Sequence, residues 1–153
     1  MKKRLIILSI ITASIIIVVI SCKKQDKQTN ISNTGDSESH NMGNNCMDCH
    51  KSGGKGKGAF QVAGTAYDSL KQSIFANVIV RLHTQSGGGG TLAATVYGDA
   101  NGNFFTTESV DYTAGLYPSV EGSSGKIKYM ISSASSGACN SCHGVSVDKI
   151  WVK

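Results

Sequence analysis

Apolar and polar positions divide the 153-residue chain into three regimes. Leu5 to Ile20 is apolar apart from Ser9, Thr12 and Ser14. That run is shorter than the about 20 residues a membrane-spanning helix needs, and it suits the hydrophobic region of a signal peptide. Residues 23–45 are polar, carry both charge signs and lack aromatics. They read as a flexible linker with a mean reach of about 25–30 Å. From Ala59 onward the pattern alternates with the two-residue period of β-strands. Phe60 to Tyr67 alternates, and Asn77 to His83 does so more clearly, with Val78, Val80 and Leu82 on one face and Ile79, Arg81 and His83 on the other. Leu92, Ala94 and Val96 fall in step, and the turn signal Asp99-Ala100-Asn101-Gly102 leads into a strand over Asn103 to Thr107. Lys126 to Ser132 predicts a strand with Ile127, Tyr129 and Ile131 toward the core and Met130 facing out. The run Gly87 to Gly90 makes a hairpin loop. The expected fold class is all-β, a small antiparallel sandwich, with short helical turns only around the cysteine motifs described below. The expected organisation is a signal segment over 1–21, a linker over 22–45 and one folded domain over 46–153.

Composition narrows this picture. Apolar residues make up 40% and aromatics 7%, so the side-chain core is small. Such a chain is neither a polytopic membrane protein nor a large multidomain enzyme, and it calls for a staple beyond its own side chains. The precursor carries +5, but three of its basic residues, Lys2, Lys3 and Arg4, lie in the signal segment. Residues 22–153 hold twelve Lys+Arg against ten Asp+Glu, and no basic block points to nucleic acid.

Five cysteines are many for this length. Cys46-Met47-Asp48-Cys49-His50 and Cys139-Asn140-Ser141-Cys142-His143 are both C-x-x-C-H. This is the attachment sequence for c-type haem. Two thiols add to the two vinyl groups of one porphyrin, and the next residue supplies an imidazole to the iron. One turn of backbone must carry all three, which fixes the spacing. Cys46, Cys49, Cys139 and Cys142 are therefore candidates to hold two covalent haems, with His50 and His143 as proximal ligands. Two disulfides, a four-thiolate zinc site and a thioredoxin-like redox pair are competing uses of the same thiols. None of them explains the histidine after each pair.

The fifth cysteine sits in Val19-Ile20-Ser21-Cys22, directly after the apolar run, and this segment resembles a bacterial lipobox. The resemblance implies cleavage before Cys22, lipidation of that residue, export and a membrane anchor. Lys23 follows at once, which makes the outer membrane the expected destination. Gly64-Thr65-Ala66-Tyr67, Val78 to Leu82 and Asp99 to Phe104 are similar to the strands of transthyretin-like and carboxypeptidase-regulatory-like β-sandwiches. Asn45 to Gly54 and Met130 to Gly144 resemble the two haem segments of small exported bacterial dihaem cytochromes. That resemblance implies electron transfer with other redox proteins or cytochromes. No proline-glycine-arginine segment follows the second motif, a departure from the fuller pattern.

Distal ligands are drawn from His40, His83 and Met130, with Met42 and Met47 behind them. Two function classes follow. Two six-coordinate haems make an electron carrier. One open iron makes a small haem enzyme or gas sensor, for which Arg81 and His83 form the only distal acid/base pair on offer. A third expectation is an assembly subunit, a homo-oligomer in which haems of neighbouring copies stack.

Overall fold

Alternation places the strands, and cross-strand pairing decides which face each residue takes. A computed structural model describes residues 31–153. The signal segment and Cys22 lie outside the described residues. Among the described residues eight strands are formed: β1 (Val62–Tyr67), β2 (Ile79–His83), β3 (Leu92–Tyr97), β4 (Asn103–Thr106), β5 (Tyr117–Glu121), β6 (Ile127–Tyr129), β7 (Gly137–Ala138) and β8 (Ile150–Trp151). They build two sheets in an all-β, sandwich-like fold. One sheet is antiparallel, in the order β3-β2-β5-β6. The other sets β1 between β4, which is antiparallel to it, and two short strands that share its far edge. The first half of β1 pairs in parallel with β7 and the second half in parallel with β8. The second C-x-x-C-H segment is the excursion between these two pairings.

Val78, Val80 and Leu82 are all buried, as their alternation requires, and pack with Val62, Ala66, Val96, Phe104, Val120 and Val152. Helical structure among the described residues is limited to three 3₁₀ turns. Two lie at the cysteine motifs and the third, Ser86–Gly88, in the glycine loop, where Gly87 takes φ 65°.

Four expectations change. β5 was not visible in the sequence, because Pro118 stands inside it and proline argues against a central strand. Leu92 leaves the core face because the register slips between Leu82 and His83, which pairs Leu92 with His83 after Ala94 has paired with Leu82. In β6 the faces are reversed. Val120 is in the core and pairs with Lys128, so Lys128 and not its neighbours takes the inward face. Ile127 and Tyr129 therefore point out at 40% and 45% exposure, Ile131 is 93% exposed, and Met130 is half-buried. The inward Lys128 lays its chain on the Trp151 ring, so the apolar stem finds cover. Finally, residues 31–45 are not a tether but a strap bound along β4. Ser32 is 1% exposed, its backbone N–H donates to Phe105 O, and its hydroxyl accepts from Phe105 N–H at 2.7 Å. Asn101 Nδ2 donates to the carbonyls of Ser37 and Ser39, and Ala100 N–H to that of Asp36. Hydrogen bonds hold this segment, so its polar composition disguised it.

Leu82→Ala is expected to cost about 2–5 kcal/mol, the range for emptying a packed leucine site. Ile131→Ala should change stability by no more than about 0.5 kcal/mol, as exposed positions do. Urea unfolding of both variants checks the assignment of faces.

Candidate functional site

The two C-x-x-C-H segments adopt the same local structure. Cys46–Asp48 and Cys139–Ser141 are 3₁₀ turns. In each, the first cysteine's carbonyl accepts from the histidine N–H, at 2.9 Å for His50 and 3.0 Å for His143. Asn45 caps the first turn by accepting from Met47 N–H. Both cysteines and the histidine of each motif thus project from a single turn.

The histidine rings are set in the same way. His50 Nδ1 lies 2.8 Å from the Lys57 carbonyl, and His143 Nδ1 lies 2.7 Å from the Asp148 carbonyl. A carbonyl only accepts, so Nδ1 carries the proton and donates it. The lone pair is thereby left on Nε2. This is the arrangement that orients an imidazole for a metal. Gly56 is required beside His50, since a Cβ there would lie 2.7 Å from the ring. On its side His50 stacks on Phe60 at 4.2 Å between centroids, and Phe60 stacks on Phe105 at 4.7 Å.

A cavity of about 220 Å³ opens at the first motif, lined among others by His40, Cys46, Cys49, His50, Phe60 and Phe105. His40 stands across it, its ring centroid 6.0 Å from that of His50. The backbone of His40 is held by Asn103, whose Nδ2 donates to the His40 carbonyl.

A buried polar network joins the motifs. Asn140, between the second pair of cysteines, accepts from Thr65 N–H at 3.1 Å and donates to Asn44 O at 2.9 Å and to Thr65 Oγ1 at 3.0 Å. Thr65 Oγ1 donates to Asn103 Oδ1 and accepts from Gly43 N–H. Gly64 lets the second motif approach β1, because a Cβ there would be 3.0 Å from Cys139 Cβ. Burial pushes the Cys46 thiol up, with Asp48 and Asp99 adding to it. Burial pushes Cys139 up to about 12, with Cys46 and Cys142 adding. Cys49 and Cys142 are exposed, and all four are free thiols.

The distal candidates separate. His40 is brought to the first motif. His83 and Met130 are not: both lie on the β3-β2-β5-β6 sheet, whereas both motifs pack on β1. His83 pairs with Tyr117 and Leu92 and has a buried Nδ1 without a hydrogen-bond partner among the described residues. The N–H of Met130 donates to Pro118 O. Arg81 is engaged by Glu121 in an ion pair across that same sheet, away from either motif. Sequence reasoning missed Asn140, Thr65 and Asn103, whose only signal was their polarity at otherwise strand-like or motif positions.

The residues fit a covalent haem at each motif. At the first, a tautomer-fixed imidazole and a second imidazole line one cavity. At the second motif, Val145 and Val147 are exposed near His143, an apolar surface that a porphyrin would cover, and Tyr112 presents a buried hydroxyl with no partner among the described residues near Cys139. A bare-metal site fits less well. Among the described residues no group of three or more His, Cys, Asp and Glu side chains is arranged to hold an ion, so the thiols do not form the tetrahedral cluster of a zinc ribbon.

In protein produced without haem attachment, Cys49 and Cys142 should alkylate well before Cys46 and Cys139, because the thiolate is the nucleophile. Cys139 should stay slow up to about pH 9, its thiolate appearing only as pH approaches about 12. Mass mapping of alkylated peptides checks the order. Asn140→Ala should cost about 1–3 kcal/mol by leaving the buried Thr65 N–H unpaired.

No protein-family model, no curated protein and no solved structure matches this chain, so what the site does is read from its own geometry.

Proposed function

We propose that this protein is a dihaem c-type electron carrier, exported and anchored at the outer membrane through a lipid on Cys22, which exchanges electrons with other redox proteins or cytochromes. The observation that carries the reading is the repeated site: two identical turns, each ending in a histidine whose Nδ1–H is held by a backbone carbonyl. When bound, haem supplies a one-electron ferrous/ferric couple. The chain's own residues do the rest. Cys46, Cys49, Cys139 and Cys142 tether two such groups. His50 and His143 present Nε2 in fixed orientation, and His40 offers the opposing imidazole at the first centre. Phe60 and Phe105 keep water from one side of it. Because Asn140 and Asn44 bond directly, the two centres stand side by side across a distance set by folded backbone. That suits rapid exchange within the molecule. The Arg81 and His83 pair that a peroxidase would use is on the other sheet, which favours the carrier over a peroxidase.

A mass spectrum of the mature protein should show two haem additions and a lipidated N-terminus, and a mass without haem would end the reading. His40→Ala should convert the first haem from low spin to high spin in the optical spectrum, leaving the second haem unchanged. An identical spectrum would remove His40 from the ligands.

A further inference from the structure

A buried carboxyl stands near the first motif, and a group of lysines gathers near the second. Asp99 is 1% exposed. Its Oδ1 accepts from the N–H groups of Asn101 and Asn103, while Oδ2 is buried with no partner among the described residues. Asn103, its turn partner, lines the cavity at the first motif. Asp99 adds to the upward push on the Cys46 thiol. The other carboxylate near this motif, Asp48, is exposed, as are Lys51, Lys55 and Lys57 of the following loop. Water and salt screen those charges far more than a buried one.

The second motif sits among lysines. Lys149 Nζ is 4.1 Å from the Tyr67 ring centroid and donates to the Lys71 carbonyl, one residue from the Asp148 carbonyl that holds His143. Lys71 and Lys128 both lie over Trp151, the next residue but one. Crowding shows on Lys128: burial lowers its pKa, and Lys153 and Lys71 lower it further. One carboxylate, Asp148, answers this group, paired with Lys71 on the surface.

We infer that this charge asymmetry poises the two haem centres at different potentials, the first low and the second high, so that electrons enter at the first motif and leave at the second. The inference rests on both haems being bound as proposed above. A buried carboxylate favours the ferric state of the centre beside it. A cluster of ammonium groups favours the ferrous state of the other. In the transfer one electron passes from the first centre, which is oxidised, to the second, which is reduced, and no bond is made or broken. The donor is a reduced redox protein. The acceptor is an oxidised one that meets the lysine-rich face around Trp151, and complementary charge there calls for an acidic surface.

Spectroelectrochemical titration of the holoprotein tests this. The wild type should show two resolved one-electron steps. Asp99→Asn keeps the Oδ1 acceptor that forms the turn and removes only the charge, so it should raise the lower potential and leave the upper one in place. Lys128→Gln should lower the upper potential and leave the lower one in place. A single step in the wild type, movement of the opposite step, or failure of either variant to move its own step overturns the asymmetry. Haem content by mass is measured on each sample. Absence of haem would overturn the dihaem reading instead, so the two failures are told apart.

Discussion

The amide of Asn140 occupies a gap in a β-sheet, and the candidate site is arranged around it. β1 runs between β4 and a divided edge, where β7 pairs with its first half and β8 with its second. Between the two pairings the backbone N–H of Thr65 would have no partner, and a buried unpaired N–H is costly. Asn140 supplies the acceptor from within the C-x-x-C-H turn. Its Nδ2 then reaches the Asn44 carbonyl just ahead of the other motif. One side chain completes the sheet, seats the second turn and ties it to the first.

The same economy of local geometry sets the histidines. A 3₁₀ turn brings two thiols and an imidazole to one side, but it leaves the ring free to rotate. The carbonyls of Lys57 and Asp148 remove that freedom and fix the tautomer. Aromatic stacking from Phe60 and Phe105 covers the first ring, while the second stands among exposed valines and lysines. The two motifs therefore share a turn and imidazole geometry and differ in their surroundings.

A small core is compatible with this architecture because β1 is buried on both faces. One face packs into the sandwich through Val62 and Ala66. The other is covered by the polar strap, the two turns and the lysine chains over Tyr67 and Trp151. Thr65 and Asn103 are almost fully buried, yet every one of their contacts in this network is a hydrogen bond. Polar segments can be structural when their donors and acceptors are all matched.

The sequence was legible wherever the information was local. Period-two alternation marked β1 and β2, the turn signal Asp99 to Gly102 marked β4, and the spacing of cysteines and histidines marked both turns, because three groups on one turn need adjacent positions. His40 was visible as a candidate by its nearness to Cys46. Its place opposite His50 and the loss of His83 and Met130 were not visible, since these depend on which sheet each strand joins. The faces of β6 were misread because an edge strand takes its orientation from its partner, and the Val120–Lys128 pairing overrides the apolarity of Ile127 and Ile131. The strap over residues 31–45 was hidden because side-chain and backbone hydrogen bonds leave no hydrophobic period. Chain order alone thus determined two Cys-x-x-Cys-His sets and an all-β scaffold. Tertiary structure decided that the sets lie side by side, because the bonds joining them run from Asn140 to residues 75 and 96 positions away.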